Sequence, residues 1–437
     1  MTTAANKLRI AYITAGAAGM YCGSCMHDNT LTAALIQQGH DALLIPTYTP
    51  IRTDEIDVSQ KRVFFGGINV FLQQKFSLFR FTPWFLDRLW DRPGLLRWVS
   101  RFAVRVEAQQ LGELTLSMVQ GSHGFQRKEI AKLVHWLASD VRPHLVNLTN
   151  VLLSGLVHDI KEKLRVPVLG TLQGDDIFLE ALPEPYKGQV LGLIRAHCRE
   201  IDGFIATSAY YADFMADYLE IPRAKIHVIH PGLNLHGHGQ PRPERNSPPY
   251  VIGYFARICP EKGLHHLAEA FRILKQLPGT PPCRLHVAGW LGEGQRPYFE
   301  EICRKMHGWE LASDFEYHDC PDHASKVRFL HAIDILSVPT TYREPKGLYV
   351  LEALANGVPV VQPRHGSFPE LIDKTGGGIL VNPDDPEDLA RGLHQLLVDR
   401  GHREELGRKG KAAVRQHFHA DRMAQETLAV YRNYLHA

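Results

Sequence analysis

The stretch Ile335–Val361, ILSVPTTYREPKGLYVLEALANGVPVV, constrains the fold more tightly than any other part of the chain. Its apolar run Ile335–Val338 stops at Pro339 and reads as a buried parallel strand. After the loop Thr340–Lys346, Gly347 opens a helical pattern with Leu348, Leu351, Leu354 and Ala355 on one face. Asn356-Gly357 ends that helix, and Val358–Val361 reads as the next strand. Such a strand–loop–helix–strand unit belongs in an open α/β sheet, where ligands bind outside the carboxyl ends of the strands.

The loop chemistry points to a phosphate. The first helical N–H groups, around Gly347, Leu348 and Tyr349, have no intrahelical acceptor and carry the positive end of the helix dipole. Gly347 has no side chain to block an anion. Two carboxylates flank the spot, Glu344 in the loop and Glu352 on the helix. Glu352 lies roughly 7 Å along the axis from Gly347, at about 1.5 Å per residue. Neither carboxylate should touch a phosphate, but each suits hydroxyls at one end of a diphosphate. The inferred ligand is hydroxyl–diphosphate–hydroxyl, the pattern of a nucleotide-sugar.

Glu344-x7-Glu352, running EPKGLYVLE and then ALANGVPVV, resembles the signature of the retaining family 4 glycosyltransferases of the GT-B fold. Lys346 stands where that family usually has an aromatic residue; it either adds a cation beside the phosphates or is solvated. The resemblance implies two Rossmann-like α/β domains facing a central cleft. It also implies transfer of a sugar from a nucleoside-diphosphate sugar, UDP-sugar above others, with the anomeric configuration retained. No metal and no cofactor are expected, the nucleotide-sugar being a substrate.

Composition agrees with a two-domain α/β chain: 437 residues, 44% apolar, long enough for two cores. A net charge of +2 argues against a nucleic-acid partner. Seven scattered cysteines make no disulfide framework and suggest a reducing compartment. No signal-like core or membrane-length apolar run is present, so a cytoplasmic protein is expected, with peripheral contact at the inner face of the membrane left open.

The first domain is expected over residues 1–232. Leu8–Thr14 and Ala42–Thr47 read as strands around a helix at Asn29–Gln38. In the small-residue loop between them the resemblance makes Gly16 and Gly19 donor-contact candidates. Cys22-x-x-Cys25 precedes the helix; a redox pair, or a metal site with His27, is a rarer use of this spacing than small residues packed in a tight turn. Residues 48–130 are the least family-like. Between Lys75 and Phe102, Arg80, Arg88, Arg92, Arg97 and Arg101 interleave with aromatic residues such as Phe79, Phe81, Trp84, Phe85, Trp90 and Trp98, which suits a membrane interface or a lipid acceptor. An amphipathic helix pair with arginine stems on apolar surface is the commoner outcome.

Strands His144–Asn150, Pro167–Gln173, Gly203–Ser208 and Lys225–His230 continue the domain. Gln173 stands where relatives often carry a histidine beside the reacting sugar, and it cannot titrate. With Asp175 it is assigned to the acceptor and sugar side; helix capping is the commoner use of Asp175-Asp176.

A Gly-, Pro- and charge-rich linker is expected over 233–249, the donor domain over 250–416, and a last helix, 417–437, crossing back to the first domain. Strand Tyr250–Phe255 leads into Arg257-x4-Lys262-Gly263, which matches the family's G-R-x4-K-G except that Ala256 precedes Arg257. A planar guanidinium and a compact ammonium suit a diphosphate. Gly289, after strand Arg284–Ala288, and Gly366, before Glu370, are further donor contacts by resemblance. The expected catalytic set is Arg257, Lys262 and Glu344, with Glu352, Gly347, Leu348, Gly16, Gly19, Gly289 and Gly366 binding the donor. The acceptor, a sugar, lipid or small molecule, stays open. A nucleotide-sugar epimerase and a non-catalytic nucleotide-sugar-binding scaffold are the alternatives.

Overall fold

The computed structural model describes residues 7–16, 22–61, 63–64, 108–241 and 247–436. Gly19 and the basic–aromatic stretch 75–102 lie outside the described residues. The chain divides into two compact units. One is drawn from Met1–Thr207, Tyr211–Ile229 and Ala424–Ala437, the other from Ser208–Tyr210 and His230–Met423.

The first unit holds a parallel six-stranded sheet of β1 (Arg9–Thr14), β2 (Asp41–Pro46), β3 (Leu145–Leu148), β4 (Val168–Leu172), β5 (Gly203–Ala206) and β6 (Ile226–Val228), in the order β2-β1-β3-β4-β5-β6. The second holds another parallel six-stranded sheet of β7 (Tyr250–Phe255), β8 (Cys283–Ala288), β9 (Phe315–His318), β10 (Ile335–Leu336), β11 (Val360–Pro363) and β12 (Gly378–Val381), in the order β12-β11-β10-β7-β8-β9. Short apolar strands such as VLGTL and YVIGYF are buried along their length, as both-face burial of a parallel sheet requires.

Counted within its own unit, the second sheet has the dinucleotide-binding order 3-2-1-4-5-6. The direction of winding reverses between β7 and β10, which pair in parallel through Ile252–Ile335 and Gly253–Leu336. The loops leaving the carboxyl ends of these two strands carry Arg257–Gly263 and Thr340–Gly347. In the first sheet the reversal falls between β1 and β3, whose ends lead into Thr14 and Thr149.

Several elements differ from the pattern read in sequence. The helix after β1 begins at Gly23, six residues before Asn29, so Cys22 is its N-cap and Cys25 lies in its first turn. None of the seven cysteines is in a disulfide. Residues 151–156 form a 3-10 turn before the helix Val157–Leu164. Helices Ala108–Val119, Tyr186–Cys198 and Arg296–Gly308 have no counterpart in the sequence reading. Within the first unit, the last helix (Ala420–Leu435) buries Tyr431 completely and sets Tyr434 Oη 3.0 Å from His227 Nε2. Among the described residues no helix is long and apolar enough to cross a membrane.

Candidate active site

Loop geometry at the switch point of the second sheet brings the sequence-distant Lys262 and Glu344 together. After β7 the chain makes a 3-10 turn, Pro260–Lys262, and Gly263 then enters the left-handed region at φ 71° to cap the helix Leu264–Leu274. A side chain at Gly263 has no room, because its Cβ would fall 1.7 Å from the Pro339 carbonyl oxygen. That close approach lays the Lys262 turn against the loop leaving β10, and Thr341 N donates to Glu261 O at 3.0 Å.

Lys262 Nζ lies 2.6 Å from Glu344 Oε2, with 8% and 4% of the two residues exposed. Tyr342 Oη donates to the same oxygen at 2.7 Å and Tyr349 Oη at 3.1 Å, while Gly347 N approaches Oε1 at 3.3 Å. Lys262 also bonds Tyr342 Oη and sits 4.9 and 5.0 Å from the ring centres of Tyr342 and Tyr349, within cation–π range. Burial alone would raise the Glu344 pKa, but the Lys262 charge and the donated hydrogen bonds outweigh it and hold the carboxyl at about 2. Burial and the Glu344 charge push both phenols well above their ordinary range, so they stay donors. The sequence reading found Lys262 and Glu344 but not Tyr342 and Tyr349, whose only signal is their position two residues before and five after Glu344.

Gly347 caps the eight-residue helix Leu348–Ala355 in the left-handed conformation, φ 63°. The amides of Leu348 and Tyr349 therefore open that helix, where the dipole favours an anion. Arg257 is exposed, and its backbone carbonyl accepts from Tyr254 Oη at 2.9 Å. Lys346 is buried, which removes the solvated alternative. Glu352 is buried on the same helix and its Oε1 accepts from Lys326 Nζ, 2.7 Å away on the helix His323–Ala332. Sequence reasoning missed Lys326, which no motif marks.

The remaining glycines fit against protein backbone. A Cβ at Gly366 would fall 2.6 Å from both the nitrogen and the carbonyl oxygen of Glu344, so this residue lets its turn pack on the Glu344 loop. Ser367 N reinforces the contact by donating to Glu344 O at 2.8 Å. Gly289 abuts the Ala256 carbonyl, and Gly16, in the first unit, abuts Thr49. Glu370 binds the backbone N–H groups of Ala209 and Tyr210 and pairs with His230 Nε2 at 2.5 Å.

In the first unit Gln173 is buried and already engaged. Its Nε2 donates to Asp28 Oδ1, Thr149 O and Thr149 Oγ1, each at 3.0 Å. Asp28, fully buried, also accepts from Tyr12 Oη at 3.0 Å and Thr14 Oγ1 at 3.2 Å, and from Thr149 Oγ1. Asp175 accepts from Val151 N at 2.8 Å and Gln173 N at 3.0 Å. Burial raises its pKa to about 6 against those two hydrogen bonds, which lower it.

Comparison with known proteins gives this geometry a context. The chain matches the family model for Glycosyltransferase Family 4 over residues 118–236 and that for Glycosyl transferases group 1 over residues 240–413. The D-inositol 3-phosphate glycosyltransferase of Streptomyces bingchenggensis is 30% identical over 307 residues, spanning 63% of this chain and 61% of that one. A glycogen synthase of Mycobacterium tuberculosis is 29% identical over 235 residues, 53% of this chain and 54% of that one. The chain spans about half the length of the curated relatives it matches, 44% to 61% of each. Anabaena HepE, solved with UDP, superposes with a TM-score of 0.69 at 18% identity, covering 98% of this chain and 100% of that one. The sucrose-phosphate synthase of Thermosynechococcus elongatus does so at 0.70 and 18%, covering 97% and 98%. At these identities the structures share the fold.

Proposed function

We propose that this chain, which belongs to the GT-B glycosyltransferases, moves a sugar from a UDP-sugar to an acceptor hydroxyl with retention of anomeric configuration. The observation that carries the reading is the buried Lys262–Glu344 pair beside the amino end of the helix Leu348–Ala355, at the switch point of the second sheet. That point is where a doubly wound sheet takes a nucleotide.

In this reading the diphosphate lies over the Leu348 and Tyr349 amides, with Arg257 and Lys262 on its oxygens. The bond between the anomeric carbon and the β-phosphate oxygen breaks, and its electron pair goes to that oxygen. The acceptor oxygen bonds the same face of the oxocarbenium-like centre, and the acceptor proton passes to the departing phosphate. Lys262 and the helix amides meet the growing charge in a preformed site, the arrangement that yields most in electrostatic catalysis. Glu344 keeps Lys262 oriented and faces the sugar hydroxyls. Glu352, fixed by Lys326, takes the ribose hydroxyls. The UDP and UDP-glucose bound to Anabaena HepE support a uridine donor.

The test is a thermal-shift and turnover series with UDP-, GDP-, ADP- and dTDP-sugars. Stabilisation by a uridine nucleotide, with UDP released only when an acceptor is supplied, is expected. Sugar rearrangement without acceptor would install the epimerase instead, and binding without turnover the scaffold.

A further inference from the structure

The outermost strand pair of the second sheet carries a different group of side chains. His286 of β8 is in register with Glu316 of β9, and Ala288 with His318. Side chains alternate along a strand, so Glu316 and His318 share a face, and the register sets His286 beside them. His286 Nδ1 lies 3.1 Å from His318 Nε2. The Glu316 carboxylate stands 3.7 Å from His286 Nε2 and 3.6 Å from His318 Nε2. One ligand atom from each of the three falls within 4.8 Å of the others.

We propose that His286, Glu316 and His318 form a binding site for a divalent cation of the zinc class. Ligand atoms held at about 2.0–2.2 Å by one tetrahedral ion stand roughly 3.3 Å apart, so side-chain rotation alone gathers these three around a cation. Two imidazoles and one carboxylate suit zinc, cobalt or nickel; magnesium and calcium prefer oxygen throughout. Side-chain exposures of 14%, 58% and 31% for His286, Glu316 and His318 leave a solvent side, open to a water as fourth ligand. Parallel strand pairing fixes the backbone spacing, and Phe329, 5.6 Å from the His318 ring centre, steadies that ring.

The site lies one link from the loop that carries Arg257. Tyr317, between Glu316 and His318, donates to Gly289 O at 3.2 Å, and Gly289 packs on Ala256, the neighbour of Arg257. A cation clamping β9 to β8 therefore stiffens the support of the Arg257 loop.

The experiment titrates chelator-stripped protein with cobalt(II), comparing wild type with the His286→Gln/His318→Gln double variant and with Glu316→Gln. The difference matters because the chain holds 24 histidines, and those outside the site can take up cobalt loosely. Wild type should take about one more equivalent than the double variant and show a visible ligand-field band that the double variant lacks. Glu316→Gln, a change at an exposed side chain that leaves the fold intact, should weaken that equivalent by about tenfold or more. Zinc should raise the melting temperature of wild type and not of the double variant. Equal stoichiometry and spectra in all three proteins would leave a hydrogen-bonded His–His–Glu cluster only and overturn the site. An equal melting shift with magnesium would overturn its zinc class.

Discussion

Lys326 Nζ stands 2.7 Å from Glu352 Oε1, with 3% and 5% of the two residues exposed, so a cation from a neighbouring helix holds the second glutamate of the motif. Removing one member of such a pair leaves a buried charge uncompensated. Lys326→Met is expected to cost about 3–5 kcal/mol of stability, and adding Glu352→Gln should restore part of it. Urea unfolding of the two single variants and the double variant measures the coupling; additive losses would mean that the pair does not act as a unit.

Glu352→Gln on its own separates a ribose contact from a purely structural role. A contact made equally in ground and transition state affects binding, so donor KM should rise several-fold with kcat near wild type. An unchanged KM in a folded variant removes the ribose assignment.

Lys262 is assigned to charge that grows during the reaction. Lys262→Met should therefore lower kcat by about 10²–10³-fold, with a smaller effect on nucleotide affinity measured by titration. Comparable losses in kcat and in UDP affinity would place Lys262 in ground-state binding.

Glu344 makes stability depend on acid. Its folded-state pKa of about 2 lies below the ordinary 4.5, so its stabilising contribution is complete above pH 4.5 and is lost as pH falls toward 2. Melting temperature of wild type should drop through this window more steeply than that of Glu344→Gln, which starts lower and carries no carboxylate there. Parallel slopes would place the acid sensitivity elsewhere.

Gln173 Nε2 donates to Asp28 Oδ1 at 3.0 Å, so an acceptor in its place would leave two buried acceptors facing each other. Gln173→Leu is expected to destabilise the protein by about 1–3 kcal/mol through the lost donor to buried Asp28 and Thr149. Urea unfolding tests this; stability equal to wild type would mean that the Gln173 hydrogen bonds contribute nothing.

The parts legible in sequence are those whose chemistry is local. The run Ile335–Val361 shows strand, loop, glycine cap and helix in order, and each is found with its boundary moved by only a few residues: β10, Gly347, the helix Leu348–Ala355 and β11. Arg257 and Lys262 share one loop, so their spacing survives in the primary structure. Partners brought in by packing leave no such trace. Lys326 lies 26 positions from Glu352, and Asp28 lies 145 from Gln173.

The packing partners of the glycines are hidden in the same way. Motif reading assigns Gly289 and Gly366 to a ligand, and packing gives each a structural reason as well, since backbone fills the space a side chain would need, Ala256 for one and Glu344 for the other. The histidine–glutamate group on β8 and β9 was equally hidden, since only strand register sets His286 opposite Glu316. Helix Tyr186–Cys198 escaped because Gly188 and Gly192 weaken its helical signal, and Arg296–Gly308 because polar residues outnumber its apolar ones.

The last helix places Tyr431 in the buried interior of the first unit and Tyr434 against His227, while residues 230–423 of the other unit intervene in the chain. On a ribosome, which adds about 5–20 residues each second, the second unit is complete before the first can close. For a time on the order of ten seconds the nascent first unit must keep open the seat that Tyr431 will fill. The unit whose chain is made first is thus the one whose last helix is made last.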